Sequence, residues 1–336
     1  MAKILHIAAH MGAGAGKAIG GLAVADKANT HSIYLLNTPL KMNHIEFCRA
    51  NNISVYIGTS LDDLLADCDT AVFSWWNHKS LDELLKQFPE CSCKKVVWMH
   101  QNGVTSPPLP QMYVDFADVL LITSEFSRQD PRLKVAVLVY GFGKFEPERY
   151  VYKTDYRQVG DKFIIGYLGE PGYKKLPRNY LDYCTAVIKR IPNVRFVLAG
   201  QGSEELIVDV HSRGLTEYID FIGWIDDIQK LLVNFDVFGY LLQSNTYATT
   251  ENTILEAMSA GLPCVISREP LGRYLLKDGD SGFLVSTPDE YAQAMVRLAN
   301  DESLRRTFGK TAREFVSKKY NLPDNLMRFN AALKGI

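Results

Sequence analysis

Two stretches carry side chains whose types and spacing could do chemistry. Residues 248–265 read ATTENTILEAMSAGLPCV, and they set a carboxylate, Glu256, inside what otherwise looks like a buried helix and strand. Ile254, Leu255 and Met258 recur at helical spacing and would face a sheet, while Asn252 and Glu256 stand one turn apart on another side. Thr249 or Thr250 suits the N-cap. A helix starting there aims its free amides, near Asn252 and Thr253, and its positive dipole end at an anion such as a diphosphate. Glu256, one turn deeper, is then placed to accept hydrogen bonds from ribose hydroxyls. Taken alone, the commoner fate of a helical glutamate is solvation.

The second stretch, HMGAGAGKAIGGLA from residue 10, follows an apolar opening run. Gly12, Gly14 and Gly16 let backbone approach a ligand closely, a following helix offers its amides, and Lys17 adds a full charge. It is not a Walker A loop: Met11 and Ala18 occupy the places that need Gly and Ser/Thr. A dinucleotide fingerprint also fails, its third glycine falling on Lys17 or Ile19. Anion binding and a plain strand-to-helix turn both remain open here.

The elements that must position these residues alternate in type. Short β-branched runs and helical-period stretches succeed one another, the pattern of βα units and a parallel sheet. In the first half the strands are KILHIAA, SIYLL, SVYIG, TAVFSWW, KVVWMH, VLLITS and KVAVLVY. Between 145 and 161 the pattern lapses into a polar, aromatic stretch that reads as an interdomain connection. A second sheet begins at KFIIGYLG and continues through RFVLAG, IDFIG, VFGYLL and CVIS; from Asp289 onward the chain is almost all helical. The expectation is α/β with two Rossmann-like doubly wound domains: 1–150, 151–321, and a closing helix within 322–336 that packs back on the first. Their strand C-termini would carry ligand loops facing a cleft.

Composition narrows the class. The 336 residues exceed one ordinary core, and 47% hydrophobic with 22% charged residues is a soluble globular profile. With 37 Lys and Arg against 38 Asp and Glu, no charge excess would track a nucleic acid backbone or pull the chain to anionic lipid. A local patch leaves peripheral membrane contact open. No apolar run approaches the length of a bilayer span, and the opening residues read as a strand rather than a signal segment, so a cytoplasmic protein is expected. The six cysteines are scattered, and Cys91 and Cys93 lack a second Cys/His pair at finger spacing, so they read as structural or incidental thiols.

The order of segments resembles the family 4 glycosyltransferases of GT-B fold. GAGAGKAIGGLA, VVWMHQNG, VLLITSEFSR, IIGYLGEPGYKK, RFVLAGQGSEE, IDFIGWIDDIQKLLVNFDVFGYLL, ILEAMSAGLPCV and LLKDGDSGFLV fall in the family's order over nearly the whole chain. The resemblance implies a retaining hexosyltransferase that takes a nucleotide-diphosphate sugar as co-substrate, with no cofactor and no metal. It makes Glu256 the donor-ribose ligand. It assigns Gly14, Gly16, Lys17, Lys174, Asn252 and Thr253 to the donor, and His100, Lys175 and Glu251 to the catalytic set. The nucleotide base would meet the backbone around Gly223 and Trp224. The acceptor would be a saccharide or other glycan, a lipid or lipid-linked molecule, or a small molecule.

Two positions depart from the family pattern. Ala248 stands where a second glutamate, eight residues before Glu256, usually contacts the donor sugar; Glu251 is the nearby substitute. Glu170 stands where an arginine follows the glycine of YLG, leaving Lys17, Lys175, Lys174 or Arg178 to neutralise the diphosphate. Trp75, Trp76 and His78, with Ser124 and Glu125, follow strand ends and are acceptor candidates, against the commoner fate of a Trp pair in a core. Asp67-Cys68-Asp69 and Asp278-Gly279-Asp280 have the Asp-x-Asp form of metal-dependent sugar transferases, but neither position suggests a metal site. Two other readings are a non-catalytic nucleotide-binding partner subunit and a nucleotide-sugar epimerase.

Overall fold

The computed structural model describes residues 1–39, 42–105, 107–141 and 149–335. The opening residues of the 145–161 connection lie outside them. The chain divides into two compact units, one of Met1–Lys144 with Tyr247–Asn252 and Leu322–Ile336, the other of Phe145–Thr246 with Thr253–Asn321.

The first unit holds β1 (Lys3–Ala8), β2 (Thr30–Leu35), β3 (Ser54–Ile57), β4 (Thr70–Trp75), β5 (Lys94–Met99), β6 (Val119–Ile122) and β7 (Val137–Leu138). They form one parallel sheet in the order β3-β2-β1-β4-β5-β6-β7. Both faces are covered, so the strands read as nearly unbroken apolar runs. Alternate residues of β1 feed opposite cores. Ile4 and Ala8 join Ile19, Leu22, Trp98 and, from the last helix, Phe329 and Ala332. Leu5 and Ile7 join Phe73, Trp75, Leu81 and Tyr113.

A polar chain runs through the first of these cores. His6 Nε2 and His31 Nδ1 are 2.9 Å apart, and His31 Nε2 lies 3.2 Å from Asp26 Oδ2. Burial opposes the Asp26 charge, but hydrogen bonds from His31, Asn29 and the Ala28 N–H outweigh it and hold the carboxyl at about 2. Asn29 also donates to Asn330 Oδ1 at 2.6 Å, tying the closing helix Leu322–Lys334 to this unit.

The second unit holds β8 (Phe163–Leu168), β9 (Val194–Ala199), β10 (Ile219–Gly223), β11 (Val237–Tyr240), β12 (Cys264–Ser267) and β13 (Gly282–Val285). Their order is β10-β9-β8-β11-β12-β13, again all parallel. In each sheet the strand order reverses once, between β1 and β4 and between β8 and β11. Such reversals open a crevice beyond the strand C-termini where ligands bind in doubly wound folds.

Candidate functional site

In the second unit the residues around the β8/β11 reversal are built for close backbone approach. Gly169 has φ +140° and Gly200 φ +125°, and a Cβ on Gly200 would lie 1.5 Å from the Gly169 carbonyl oxygen, so no side chain fits there. Tyr167 and Tyr240, at the ends of β8 and β11, stack with ring centroids 4.9 Å apart. Lys175 is half-buried and its Nζ donates to the Tyr240 hydroxyl at 3.4 Å. Gln243 fixes the lysine pair through their backbone, its N–H donating to the Lys175 carbonyl and its Nε2 to that of Lys174. Glu170 and Lys174 are exposed. Arg178 is exposed too, paired with Glu205 and lying over the Tyr173 ring. Trp224 is 77% exposed beside Gly223, and its Nε1 donates to Asp226.

The helix carrying Glu256 runs Asn252–Ser259 and buries Ile254, Leu255, Glu256, Ala257 and Met258. Its start differs from the expected Thr249 or Thr250 cap: Glu251 directly precedes the first helical residue and takes the left-handed conformation, φ +42°. Thr250 is instead buried. Thr253, in the first turn, keeps its hydroxyl oxygen buried without a hydrogen-bond partner. Glu256 is only 4% exposed. Its neighbour is Tyr150, whose phenol is pushed up by burial and by the charge and hydrogen bond of Glu256. Tyr150 lies in the aperiodic stretch after 145, where no local pattern marks it.

In the first unit the segment Tyr247–Asn252 is pinned behind β5. Asn102 donates through its backbone N–H to the Tyr247 carbonyl at 3.2 Å and through Nδ2 to the Ala248 carbonyl at 2.9 Å. Its Oδ1 accepts from the N–H groups of Val104 and Thr105. Ala248 is itself buried.

At the β1/β4 reversal two imidazoles flank one indole and a third stands against the first of them. The Trp76 ring centroid is 5.3 Å from that of His10 and 5.8 Å from that of His100, and His10 is 5.5 Å from His78. The Gly12 N–H donates to His10 Nδ1 at 3.0 Å, and His78 Nδ1 accepts from the Ser80 N–H as the cap of helix Lys79–Lys86. Neutral rings held this way carry their proton on Nε2 and offer it as a donor. Burial, and then the neighbouring His78, lower the His10 pKa. Burial pushes His100 down to about 3, and its Nε2 is shut off from solvent with no hydrogen-bond partner among the described residues. His100 is therefore a neutral ring at ordinary pH. His10 was invisible in the sequence because its company comes from three strand ends.

Several expectations need correction. Gly14, Gly16 and Lys17 do not form a loop before a helix; the helix starts at Ala13 and contains all three. A Cβ on Gly16 would sit 2.2 Å from the Met11 carbonyl oxygen, so packing alone requires that glycine, whereas one on Gly14 would meet nothing. Trp75 is fully buried, its ring edge-on to Tyr113 in the core, because strand alternation turns it away from Trp76. Ser124 is 2% exposed and caps the 3₁₀ turn Glu125–Gln129 by accepting the Phe126 N–H. Neither Trp75 nor Ser124 can face an acceptor. Glu125 is engaged by the Tyr140 hydroxyl at 2.8 Å.

Two doubly wound parallel sheets, of seven and six strands, make this a GT-B fold. The structure of Anabaena HepE in complex with UDP and glucose matches it with a TM-score of 0.79 over 100% of both chains at 17% identity. That of TarM matches with the same score over 99% of both at 13% identity. These likenesses speak for the fold. Residues 162–301 match the family described as Glycosyl transferases group 1. Among curated proteins the chain is 30% identical over 134 residues to the lipopolysaccharide core biosynthesis glycosyltransferase LpsE of Rhizobium meliloti, 38% of each chain. It is 28% identical over 209 residues to the UDP-Gal:alpha-D-GlcNAc-diphosphoundecaprenol alpha-1,3-galactosyltransferase of Escherichia coli, 57% of this chain and 52% of that one. The chain thus spans about half or less of the length of these curated relatives. Among the described residues no helix is long and apolar enough to cross a membrane.

Proposed function

We propose that this protein is a retaining glycosyltransferase that moves a hexose from a nucleotide-diphosphate sugar to a saccharide or lipid-linked saccharide, without a metal. The observation that carries the reading is Glu256: a carboxylate 4% exposed, beside Tyr150, one turn below a helix start whose Thr253 hydroxyl is unsatisfied. A buried carboxylate beside Tyr150 offers several acceptor sites on its two oxygens, and ribose hydroxyls are donors of the right kind for them. In this reading the diphosphate lies against the amides near Asn252 and Thr253, and Lys175, with Lys174 behind it, stabilises the charge that develops as it leaves. Glu251 supplies a sugar contact. The base meets the backbone by Gly223 and Trp224.

The first unit supplies the acceptor side, with His10, Trp76, His78 and His100 at its reversal. Helix Ala13–Ala25, with Gly14, Gly16 and Lys17 in its first turns, offers its first amides and the Lys17 charge as a further contact for the donor's diphosphate. The names of the relatives support UDP-sugars as the first donors to try. HepE was solved with UDP and glucose, and the Escherichia coli relative is named for UDP-galactose and a diphosphoundecaprenol-linked acceptor.

The test is thermal stabilisation by UDP, GDP and ADP, then product NMR for anomeric configuration with the nucleotide sugar that binds. Stabilisation by one nucleotide and a product of retained configuration are expected. No stabilisation by any of the three, or an inverted product, overturns it. A second reading, a nucleotide-binding subunit without turnover, is favoured by the acid at Glu170; binding without transfer over a broad acceptor panel would select it.

A further inference from the structure

The strand register of the first unit brings together three thiols that the proposed reaction does not use. Thr70 pairs with Lys94 across β4 and β5, and the Lys94 N–H donates to the Asp69 carbonyl at 3.0 Å. The residues just before the two strands, Cys68 on one side and Cys91-Ser92-Cys93 on the other, therefore meet at the strand N-terminal edge. This is the end opposite His10, Trp76 and His100. Cys93 is 4% exposed, and Cys68 and Cys91, both half-buried, pack on the same cluster. Cys91 Sγ and Cys93 Sγ are 2.6 Å apart, inside any ordinary contact between sulfurs and a short step from the roughly 2.05 Å of a disulfide. Cys68 donates to the Leu65 carbonyl at 3.5 Å, and after burial and Cys91 it too raises the Cys93 thiol.

The other three cysteines behave differently. Cys48, Cys184 and Cys264 are each buried without a second thiol, and burial pushes Cys48 up to about 11 and Cys184 up to about 12. Such thiols are inert. A metal is the rival occupant of a thiol cluster, but among the described residues no group of three or more His, Cys, Asp or Glu is arranged to hold one.

We propose that Cys91, Cys93 and Cys68 form a thiol–disulfide site, with Cys91 and Cys93 closing as a disulfide and Cys68 as the thiol that can take Cys93 over. The oxidant is a small-molecule disulfide of the glutathione class. The half-buried Cys91, as thiolate, attacks one sulfur of that disulfide; the mixed disulfide forms and the first thiolate leaves. Cys93 then attacks Cys91 Sγ, the second thiolate leaves, and the protons of the two cysteines end on the two released thiols. Two protein thiols are oxidised and one external disulfide is reduced. Attack of Cys68 on Cys93 then exchanges one bond for another, frees Cys91 and needs no electrons. Burial raises the thiols of Cys93 and Cys68, so closure should quicken as pH rises through the thiol range.

The experiment incubates the whole chain with oxidised glutathione at pH 7 and pH 9, traps free thiols with iodoacetamide and maps peptides by mass. Expected is a tryptic peptide 87–94 lighter by two hydrogens and resistant to alkylation, with Cys48, Cys184 and Cys264 unchanged. A later product linking peptide 50–79 to 87–94 should be absent from Cys68→Ser. Cys91→Ser, at a half-buried position that tolerates a hydroxyl, should lose the first product, as should Cys93→Ser. Peptide 87–94 remaining a fully alkylated dithiol at pH 9 would overturn the proposal. So would its protection in untreated protein being removed by a chelator, which would mark a metal site.

Discussion

Glu256 offers the sharpest test, because its burial and its partner allow the effect to be divided. The side chain is 4% exposed and faces the buried hydroxyl of Tyr150, so Glu256→Ala removes both the proposed ribose acceptor and the partner of that hydroxyl. A hydrogen bond to a charged group is worth about 1.5 to 3 kcal/mol, and about 1.4 kcal/mol is tenfold in affinity, so nucleotide Kd should rise roughly 10- to 150-fold. The orphaned Tyr150 hydroxyl should cost folding stability about 1 to 3 kcal/mol, and Glu256→Ala combined with Tyr150→Phe should recover part of it while leaving the affinity low. Calorimetry with the nucleoside diphosphate that binds, and with its 2′-deoxy form, closes a cycle. The unaltered protein should bind the deoxy compound more weakly; Glu256→Ala should no longer distinguish the two if the carboxylate contacts that hydroxyl. Unchanged Kd in Glu256→Ala, or full recovery of affinity on adding Tyr150→Phe, would refute the ribose role and leave Glu256 a structural acid.

Glu170→Arg should tighten diphosphate binding by roughly 10-fold, since an exposed acid is exchanged for a charge-assisted donor; a weaker calorimetric Kd would remove position 170 from the diphosphate site. Gly200→Ala should lose about 3 kcal/mol or more in urea unfolding, because its Cβ meets the Gly169 carbonyl oxygen at φ +125°. A change under 1 kcal/mol would mean the two loops are not in contact. Acid should destabilise the protein through His100. Its folded pKa of about 3 lies below the ordinary 6.5, so the unfolded chain binds the proton first as pH falls; the contribution is whole above about pH 6.5 and declines toward 3. At pH 5 that amounts to about 2 kcal/mol, and His100→Asn should flatten the slope of stability between pH 7 and 5. Asp26, held at about 2 against 3.8, adds a loss only below about pH 4. An unchanged slope in His100→Asn would show that the ring is solvated.

The strands were legible because a parallel sheet buried on both faces writes itself as short apolar runs, and those runs found both sheets except for the edge strand β13. The helix carrying Glu256 was legible for a related reason: a buried face at helical spacing leaves Glu256 as the anomaly. Phase was harder to read. Trp75 and Trp76 are adjacent, and only the pleat decides that one enters the core and the other meets His10. The glycines near Lys17 suggested a loop because glycine weakens helices, yet Gly16 serves packing inside one, where Met11 leaves no room for a Cβ. His10 and Tyr150 carried no signal at all. Their partners come from other strand ends and from another element, and local pattern does not encode such company.

Ala248 and Glu251 show how a departure from a family pattern can have a structural cause. At position 248 the backbone is fixed by Asn102 and the side chain is buried, so a glutamate there would have to bury its carboxylate. Three residues on, Glu251 holds φ +42°, a conformation that costs a non-glycine residue on the order of 1 kcal/mol and persists only where the surroundings enforce it. The Asn102 clamp on Tyr247 and Ala248 lies on one side of it and the Asn252–Ser259 helix on the other. A left-handed conformation kept by a non-glycine residue just before a helix is what a positioned carboxylate requires, whereas an incidental surface glutamate would relax. That is the physical reason to keep Glu251 in the proposed sugar-binding set. Glu251→Gly separates the alternatives: the strain is relieved whichever holds, so stability should not fall, and only a role for the carboxylate predicts that transfer drops while nucleotide affinity stays.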